Sequence, residues 1–559
     1  VARGYRYTEV DLPKPEIKED VKFQKFRESD PGKRPAVQVS LGCHLVGAAC
    51  PHPDPADVDT MIAGACKRFA SETPTIDRSK LKRLRDYVDM YYTNHLSPLD
   101  PNADTSVEAW LAKTNYPQWR KDELLAAWKS CPNPFDKKYW TVKSFGKDET
   151  YVAYKHERGI NARSDVFKCL VGPIFHLIEE QVYKLPQFIK HVPVAERANY
   201  IYDRLYSPGA FYGQSDFETF EALFVKDIMC NVEIPMYKYM TAALPEANWF
   251  AKICDEVLAG ENDCRYRDFR VILNAVRMSG EMCTSLGNGW SNLMFNGFVA
   301  QEKGCHYFDG VVEGDDGLFR FEGAVPTTRD YTEIGLKIKL EIVDDISHAS
   351  FCGIVFAPED RNNLADPWKV MANFGWTSQR YERCRPGVLK ALLRAKALSL
   401  AHAYPGAPVI QALAHFGLRA TSDVKRMRVL KAVNRRGAMS AWMRDWVVDA
   451  LNRGEPAKRS VGIASRLVVE EVFGMPVSQQ LSIERYLDGI SEIRPMNIPL
   501  DGVPDSWLDY WSVYVDGQAR QPPHRTKWVL SDVLVPVEGG WLVPKKRVRT
   551  PVRGEKRVG

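Results

Sequence analysis

Apolar residues recur at three- and four-residue intervals through "SKLKRLRDYVDMYY" and "SVEAWLAKTNYPQWRKDELLAAW", and the spacing predicts helices across 63–127. β-type and basic residues mix over 139–163, and a further helix is predicted through "VFKCLVGPIFHLIEEQVYKL". From 211 to about 358 short strand-like runs alternate with helical ones, an α+β pattern in which "DFETFEALFVKDIMCNVEI" and "CTSLGNGWSNLMFNGFVAQ" read as helices. Beyond 366 the pattern is helical again, in "GVLKALLRAKALSLAHAY", "SAWMRDWVVDALNRG" and "GIASRLVVEEVFG". Residues 1–60 are rich in proline and charge and predict an irregular, wrapping segment. No internal repeat or long low-complexity linker interrupts the chain.

One strand-like pair carries an unusual charge arrangement. "GVVEGDDGLFRF" places Asp315 and Asp316 side by side between two apolar runs, at an expected hairpin tip. Adjacent carboxylates repel, so they must be solvated, paired or bound to a cation. A third acid, Asp216, lies about a hundred residues earlier, where "FYGQSDFETFEALF" is expected to pass from strand to helix. Carboxylates at such a junction and at a facing hairpin can clamp two magnesium ions, which suit hard oxygen ligands and support in-line displacement at phosphorus. Between them, "RMSGEMCTSLGNGWSNLMFN" offers Ser279 and Gly280 in a loop, Thr284 near a helix start and Asn288 one turn further in. These neutral groups suit the reading of a sugar hydroxyl; alternatively, Ser279 or Thr284 caps the helix.

At 559 residues, 45% hydrophobic and 26% charged, the chain is long enough for several domains and for a sizeable core. The net charge of +5 is mild, but the final "PKKRVRTPVRGEKRVG" carries seven Lys or Arg against one Glu, which reads as a solvated tail or a phosphate-binding one. Twelve cysteines without a CxxC pair favour reduced thiols in a cytosolic setting. Cys43, His44, Cys50 and His52 form a weak zinc candidate, lacking a second pair at familiar spacing. No apolar run is long enough for a transmembrane helix. The chain opens on Val1 with no signal peptide, so a trimmed chain or a piece of a longer translation product is expected.

The ordered series "SDFETFE", "SGEMCTSLGN" and "EGDDG", followed by "GLKIKLE" and "SFCGIVF", resembles palm motifs A to E of viral RNA-dependent RNA polymerases, closest to the tombusvirus-like and nodavirus-like branch of positive-strand RNA viruses. The motif-bearing part covers roughly 140–360. The resemblance implies an α+β right-hand polymerase with fingers, palm and thumb, an antiparallel palm sheet, and mainly helical fingers and thumb. The corresponding expected layout is an N-terminal segment with part of the fingers (1–125), fingers with a basic fingertip (126–205) and palm motif A (206–235). A fingers insertion (236–275), the palm motifs B to E (276–360), a helical thumb (361–500) and a C-terminal extension (501–559) follow.

Carried over by position, the resemblance makes Asp216, Asp315 and Asp316 the metal ligands, for Mg2+ with Mn2+ as a substitute. Ser279, Gly280, Thr284 and Asn288 would shape the nucleotide pocket. Glu221 stands where the family usually has an aspartate that helps select ribose, one methylene longer in reach. Lys339 matches the motif-D lysine that acts as general acid on pyrophosphate, with Lys337 as rival. "VKSFGKDETY" and "HERGINARSD" resemble motif F, making Lys143, Lys147, Arg158 and Arg163 candidates for the triphosphate. Phe351 and Cys352 match the motif-E turn that grips the nascent RNA 3′ end; a buried hairpin is the alternative. The implied partners are RNA template and product, nucleoside triphosphates and other viral replication proteins. The implied location is the host cytoplasm, at membrane-associated replication sites reached through a partner or a missing segment, or packaged in the virion. A reverse transcriptase is the nearest competitor, but Glu313 stands where its tyrosine would be. A magnesium-dependent nuclease leaves the motif-B pocket unexplained, and a non-catalytic RNA-binding replication protein leaves the three acids unexplained.

Overall fold

The computed structural model describes residues 36–435 and 441–517, together with 3–5, 12, 14–27, 535–537 and 540–542. The basic stretch from 544 onward lies outside the described residues. Helix occupies 48% of the described residues and strand 16%, so the fold is mixed, with small sheets set among helices.

At the centre is a four-stranded sheet made of Phe211–Phe217 (β1), Cys305–Glu313 (β2), Asp316–Gly323 (β3) and Ile338–Val343 (β4). Its spatial order is β4-β1-β3-β2, and every pairing is antiparallel. β2 and β3 form a hairpin in which Asp316 pairs with Glu313 across a two-residue loop of Gly314 and Asp315. Gly314 sits at φ +63°, the left-handed conformation that tight hairpin loops demand and glycine adopts without strain. One flank of the sheet packs on the Thr284–Lys303 helix, whose residues from Leu286 to Ala300 are all buried. That helix stops where Gly304 turns left-handed at φ +73°.

A seven-stranded sheet joins distant parts of the sequence, in the order Val535–Val537, Gly540–Leu542, Lys22–Lys25, Phe269–Asn274, Glu261–Arg265, Val142–Gly146 and Gly159–Arg163. A three-stranded sheet pairs Ala36–Ser40 with Arg3–Tyr5 and Trp376–Ser378. The segment expected to be irregular over 1–60 therefore supplies strands to two sheets and the start of the Val58–Arg68 helix. The largest apolar cluster includes Phe175, Phe217, Trp290 and Phe319. A second is built on the C-terminal helices Pro386–Ala403 and Ile410–Ala420.

Two expected helices are broken. "DFETFEALFVKDIMCNVEI" begins inside β1, then turns at Thr219, at φ +52°, before the short helices Phe220–Leu223 and Lys226–Val232. "SVEAWLAKTNYPQWRKDELLAAW" divides into Val107–Lys113 and Gln118–Lys129, because Pro117 holds its predecessor out of helical geometry. Among the described residues, no helix is long and apolar enough to cross a membrane.

Candidate active site

The strand registers bring residues far apart in sequence into one line. Lys339 on β4 lies directly opposite Asp216 on β1. One step beyond the Gly317–Ser215 pair, Asp316 on β3 comes alongside Asp216, and Asp316 in turn pairs with Glu313 on β2. Directly opposed residues of an antiparallel pair point to the same face. Lys339, Asp216, Asp316 and Glu313 therefore form a row across all four strands, with Asp315 at the hairpin tip beside it. Asp216, Asp315, Asp316 and Lys339 are exposed. At the far end, Arg197 Nη1 meets Glu313 Oε2 at 2.7 Å.

The row carries more negative charge than its cations balance. Although Asp316 keeps an exposed surface, the protein massed around its carboxylate withholds solvation and, with Asp315 and then Glu313 and Asp216 nearby, raises it to about 6; the Cys352 thiol, donating to its carboxylate, opposes that rise. Cys352 reaches the row from the turn between Ser350–Phe351 and Ile354–Phe356, where it adopts φ +52°. Phe351, by contrast, is 2% exposed and packs with Tyr212 and Leu318, so its ring supports the sheet rather than facing a ligand.

The expected triphosphate cations divide. Arg158 is half-buried, with Nη1 3.5 Å from Glu149 Oε1. Burial works against its charge, but Glu149, Glu221 and Asp315 more than offset that and hold the guanidinium charged. Arg158 thus lies within electrostatic range of Glu221 and of Asp315, while its ion pair is with Glu149. Lys147 Nζ lies 2.6 Å from Glu149 Oε2, and Lys143 is exposed on its strand. Arg163 does not stand on an accessible wall. Its side chain is 2% exposed, pairs with Glu281 at 2.6 Å, and donates to Asn262 Oδ1 at 2.6 Å and to the Val257 carbonyl at 3.1 Å. Those bonds occupy the donors a phosphate would need, which makes Arg163 a brace.

The 279–288 region is knitted to the same brace. Ser279 Oγ donates to the Gly159 carbonyl at 3.0 Å, and Thr284 Oγ1 to the Met278 carbonyl at 3.0 Å. Neither caps the helix, whose N-cap is Cys283. A Cβ on Gly280 would stand 2.8 Å from the Asn161 carbonyl oxygen, so a side chain there collides with backbone. Asn288 is 8% exposed, and its Oδ1 accepts from Arg277 Nε at 2.9 Å. Arg277 and its partner Glu233 are completely buried. The Arg277 amide donates to the Glu221 carbonyl at 3.1 Å, tying this cluster to Glu221.

The two lysine candidates separate cleanly. Lys337 precedes β4 and donates to the Glu72 carbonyl at 3.0 Å, whereas Lys339 is exposed opposite Asp216. Sequence reasoning missed the buried polar chain behind the hairpin, formed by Ser215, Asn292, Asn296 and Tyr331. Its signal was legible: asparagines recur every fourth residue, at 288, 292 and 296, along an otherwise apolar helix.

Among the described residues, no group of three or more His, Cys, Asp or Glu side chains is gathered closely enough to hold a metal ion. The weak zinc candidate dissolves accordingly: His44 bonds Ser40, His52 bonds Asp148 and the Pro53 carbonyl, and Cys43 and Cys50 are free and buried. For magnesium the donor chemistry fits. Asp216, Asp315 and Asp316 offer hard oxygens on an open flank with surplus negative charge, and magnesium takes its remaining ligands from water and substrate phosphates. No protein-family model and no curated protein matches the chain.

Proposed function

We propose that the chain is an RNA-directed RNA polymerase, which copies an RNA template by joining ribonucleoside triphosphates and releasing pyrophosphate. In this reading the central sheet is the palm, the surrounding N-terminal elements and seven-stranded sheet are fingers, and the C-terminal helices are thumb. The observation that carries it is the row Lys339–Asp216–Asp316 beside Asp315, with the Arg158 guanidinium within electrostatic range of Asp315.

Each residue has a task set by its position. Asp216 and Asp315, with Asp316 assisting, would hold divalent cation at the junction of β1 and the hairpin. The chemistry such a cation would supply is activation of the 3′-hydroxyl and charge neutralisation on the phosphates. Arg158 and Lys147, held in reserve by Glu149, offer cationic donors to the triphosphate. Lys339 is the exposed ammonium next to Asp216 that can give a proton to the departing pyrophosphate. Glu221 and Asn288, joined through Arg277, face the sugar selection task. Arg163 acts only by fixing the loop that holds Ser279 and Gly280.

The test is direct: purified chain, homopolymeric RNA, labelled ribo- or deoxyribonucleotides, and magnesium or manganese, with and without primer. Template-dependent ribonucleotide incorporation is expected. Preferential deoxyribonucleotide incorporation points to a reverse transcriptase. RNA binding without incorporation under any of these conditions rejects the catalytic reading.

A further inference from the structure

Behind the acidic row, on the opposite side of the sheet, one buried amide touches both the strand that carries Asp216 and the hairpin loop that carries Asp315. Asn292 Nδ2 donates to the main-chain carbonyl of Asp315 at 2.9 Å. Its Oδ1 accepts from Ser215 Oγ at 3.1 Å, and Ser215 immediately precedes Asp216. Asn296 Nδ2 donates to the same Oδ1 at 2.9 Å and to the Asn292 carbonyl at 2.8 Å. Tyr331 OH completes the chain, donating to Asn296 Oδ1 at 2.7 Å. Asn292, Asn296 and Tyr331 are 0% exposed and Ser215 is 6% exposed.

Such a chain is poorly explained by packing alone. An apolar filling of the same volume avoids the cost of burying hydroxyl and amide groups, so a satisfied polar network is expected where direction matters. Here the direction is that of the hairpin loop. The Asp315 carbonyl sits in a two-residue loop, beyond the last ladder pair, and Asn292 draws it toward the helix. Drawing the carbonyl inward fixes the loop plane and thereby turns the Asp315 side chain to the open face. The approach is close: a Cβ on Gly317 would lie 2.9 Å from Asn292 Nδ2 and 2.7 Å from Ser215 Oγ. Glycine at 317 lets the amide pass between the strands.

We infer that Asn292 is a positioning residue that sets Asp315 and Asp216 relative to one another, with Asn296 and Tyr331 holding its amide in orientation. The inference rests on the polymerase reading for its functional consequence. It also links two parts of the site, because Asn288, one helical turn earlier, belongs to the Arg277 cluster.

Asn292→Asp keeps the shape and the acceptor for Ser215 but removes the donor to Asp315. Hydrogen exchange and single-nucleotide incorporation are measured on wild type, Asn292→Asp and Tyr331→Phe. In Asn292→Asp, amide exchange in the peptide 312–318 should rise by about fivefold or more, while the rest of the Thr284–Lys303 helix keeps its protection. The kcat should fall about 10–100-fold with nucleotide KM within about twofold, and half-maximal activity should need more magnesium. Tyr331→Phe should move the same readouts in the same direction by less, and it decides the matter if Asn292→Asp does not fold. Wild-type exchange at 312–318 together with wild-type kcat overturns the inference, as does uniformly faster exchange along the whole helix. If wild type incorporates nothing, the polymerase reading fails, while the exchange data still decide whether Asn292 holds the hairpin.

Discussion

Two charged regions of the molecule obey opposite rules. In the closed region, Arg277 meets Glu233 and Arg163 meets Glu281, one cation to one anion, with all four side chains between 0% and 4% exposed. In the open region, Asp216, Asp315, Asp316 and Glu313 share a flank with Lys339 and Arg197, and acids outnumber cations. A balanced buried pair has nothing left to offer a ligand. An unbalanced exposed row invites a cation, and in the proposed reading Arg158 and Lys147 would exchange Glu149 for substrate phosphates. The contrast separates residues that hold the site from residues that work in it, although both kinds appear in sequence simply as charged residues.

The largest effect should come from breaking the open row. Asp315→Asn, measured by labelled-nucleotide incorporation, should lose activity by about 10³-fold or more. Thermal unfolding of the same variant should be unchanged or slightly raised, because one repelling charge is gone. The closed region should behave the opposite way. Arg277→Met strands Glu233 in the core and should cost about 3–5 kcal/mol of stability, read by denaturant unfolding.

A third comparison uses pH. Glu157, adjacent to Arg158, is 1% exposed, and neither of its carboxylate oxygens has a hydrogen-bond partner among the described residues. Burial, with Glu149, Asp148 and Asp54 nearby, raises it to about 9, against a weaker opposing pull from Arg68. Since the folded value lies above the unfolded one, this stability is fully present below about pH 4.5 and is lost as pH rises toward about 9. Glu157→Gln should therefore flatten the decline in stability across that window, with a gain on the order of 3 kcal/mol near pH 7. The smallest effect separates the two lysines. Lys339→Ala should slow incorporation by about 10²-fold, and Lys337→Ala, which loses only its bond to the Glu72 carbonyl, should stay close to wild type.

What was legible in sequence was local. The GDD hairpin, the strand ending at Asp216 and the Thr284–Lys303 helix follow from alternation, turn residues and three- to four-residue spacing. The breaks at Thr219 and at 114–117 were hidden because a single left-handed residue, or the residue before a proline, outweighs the helical pattern around it. The pairing of Lys22–Lys25 with both Phe269–Asn274 and Gly540–Leu542 is a contact between remote segments that no local window reports. Arg158 and Arg163 read alike in sequence because burial is a property of the assembled fold. The spacing of Asn288, Asn292 and Asn296 was there to be read, but its meaning appears only once the Asp315 carbonyl lies against the helix.

The central claim is that Asp216 and Asp315 act on one divalent ion. Anomalous scattering from crystals of the protein soaked in manganese tests it most directly. The account predicts a peak on the open flank at about 2.1 Å from a carboxylate oxygen of each aspartate. Manganese bound to one of them alone, or to neither, contradicts it.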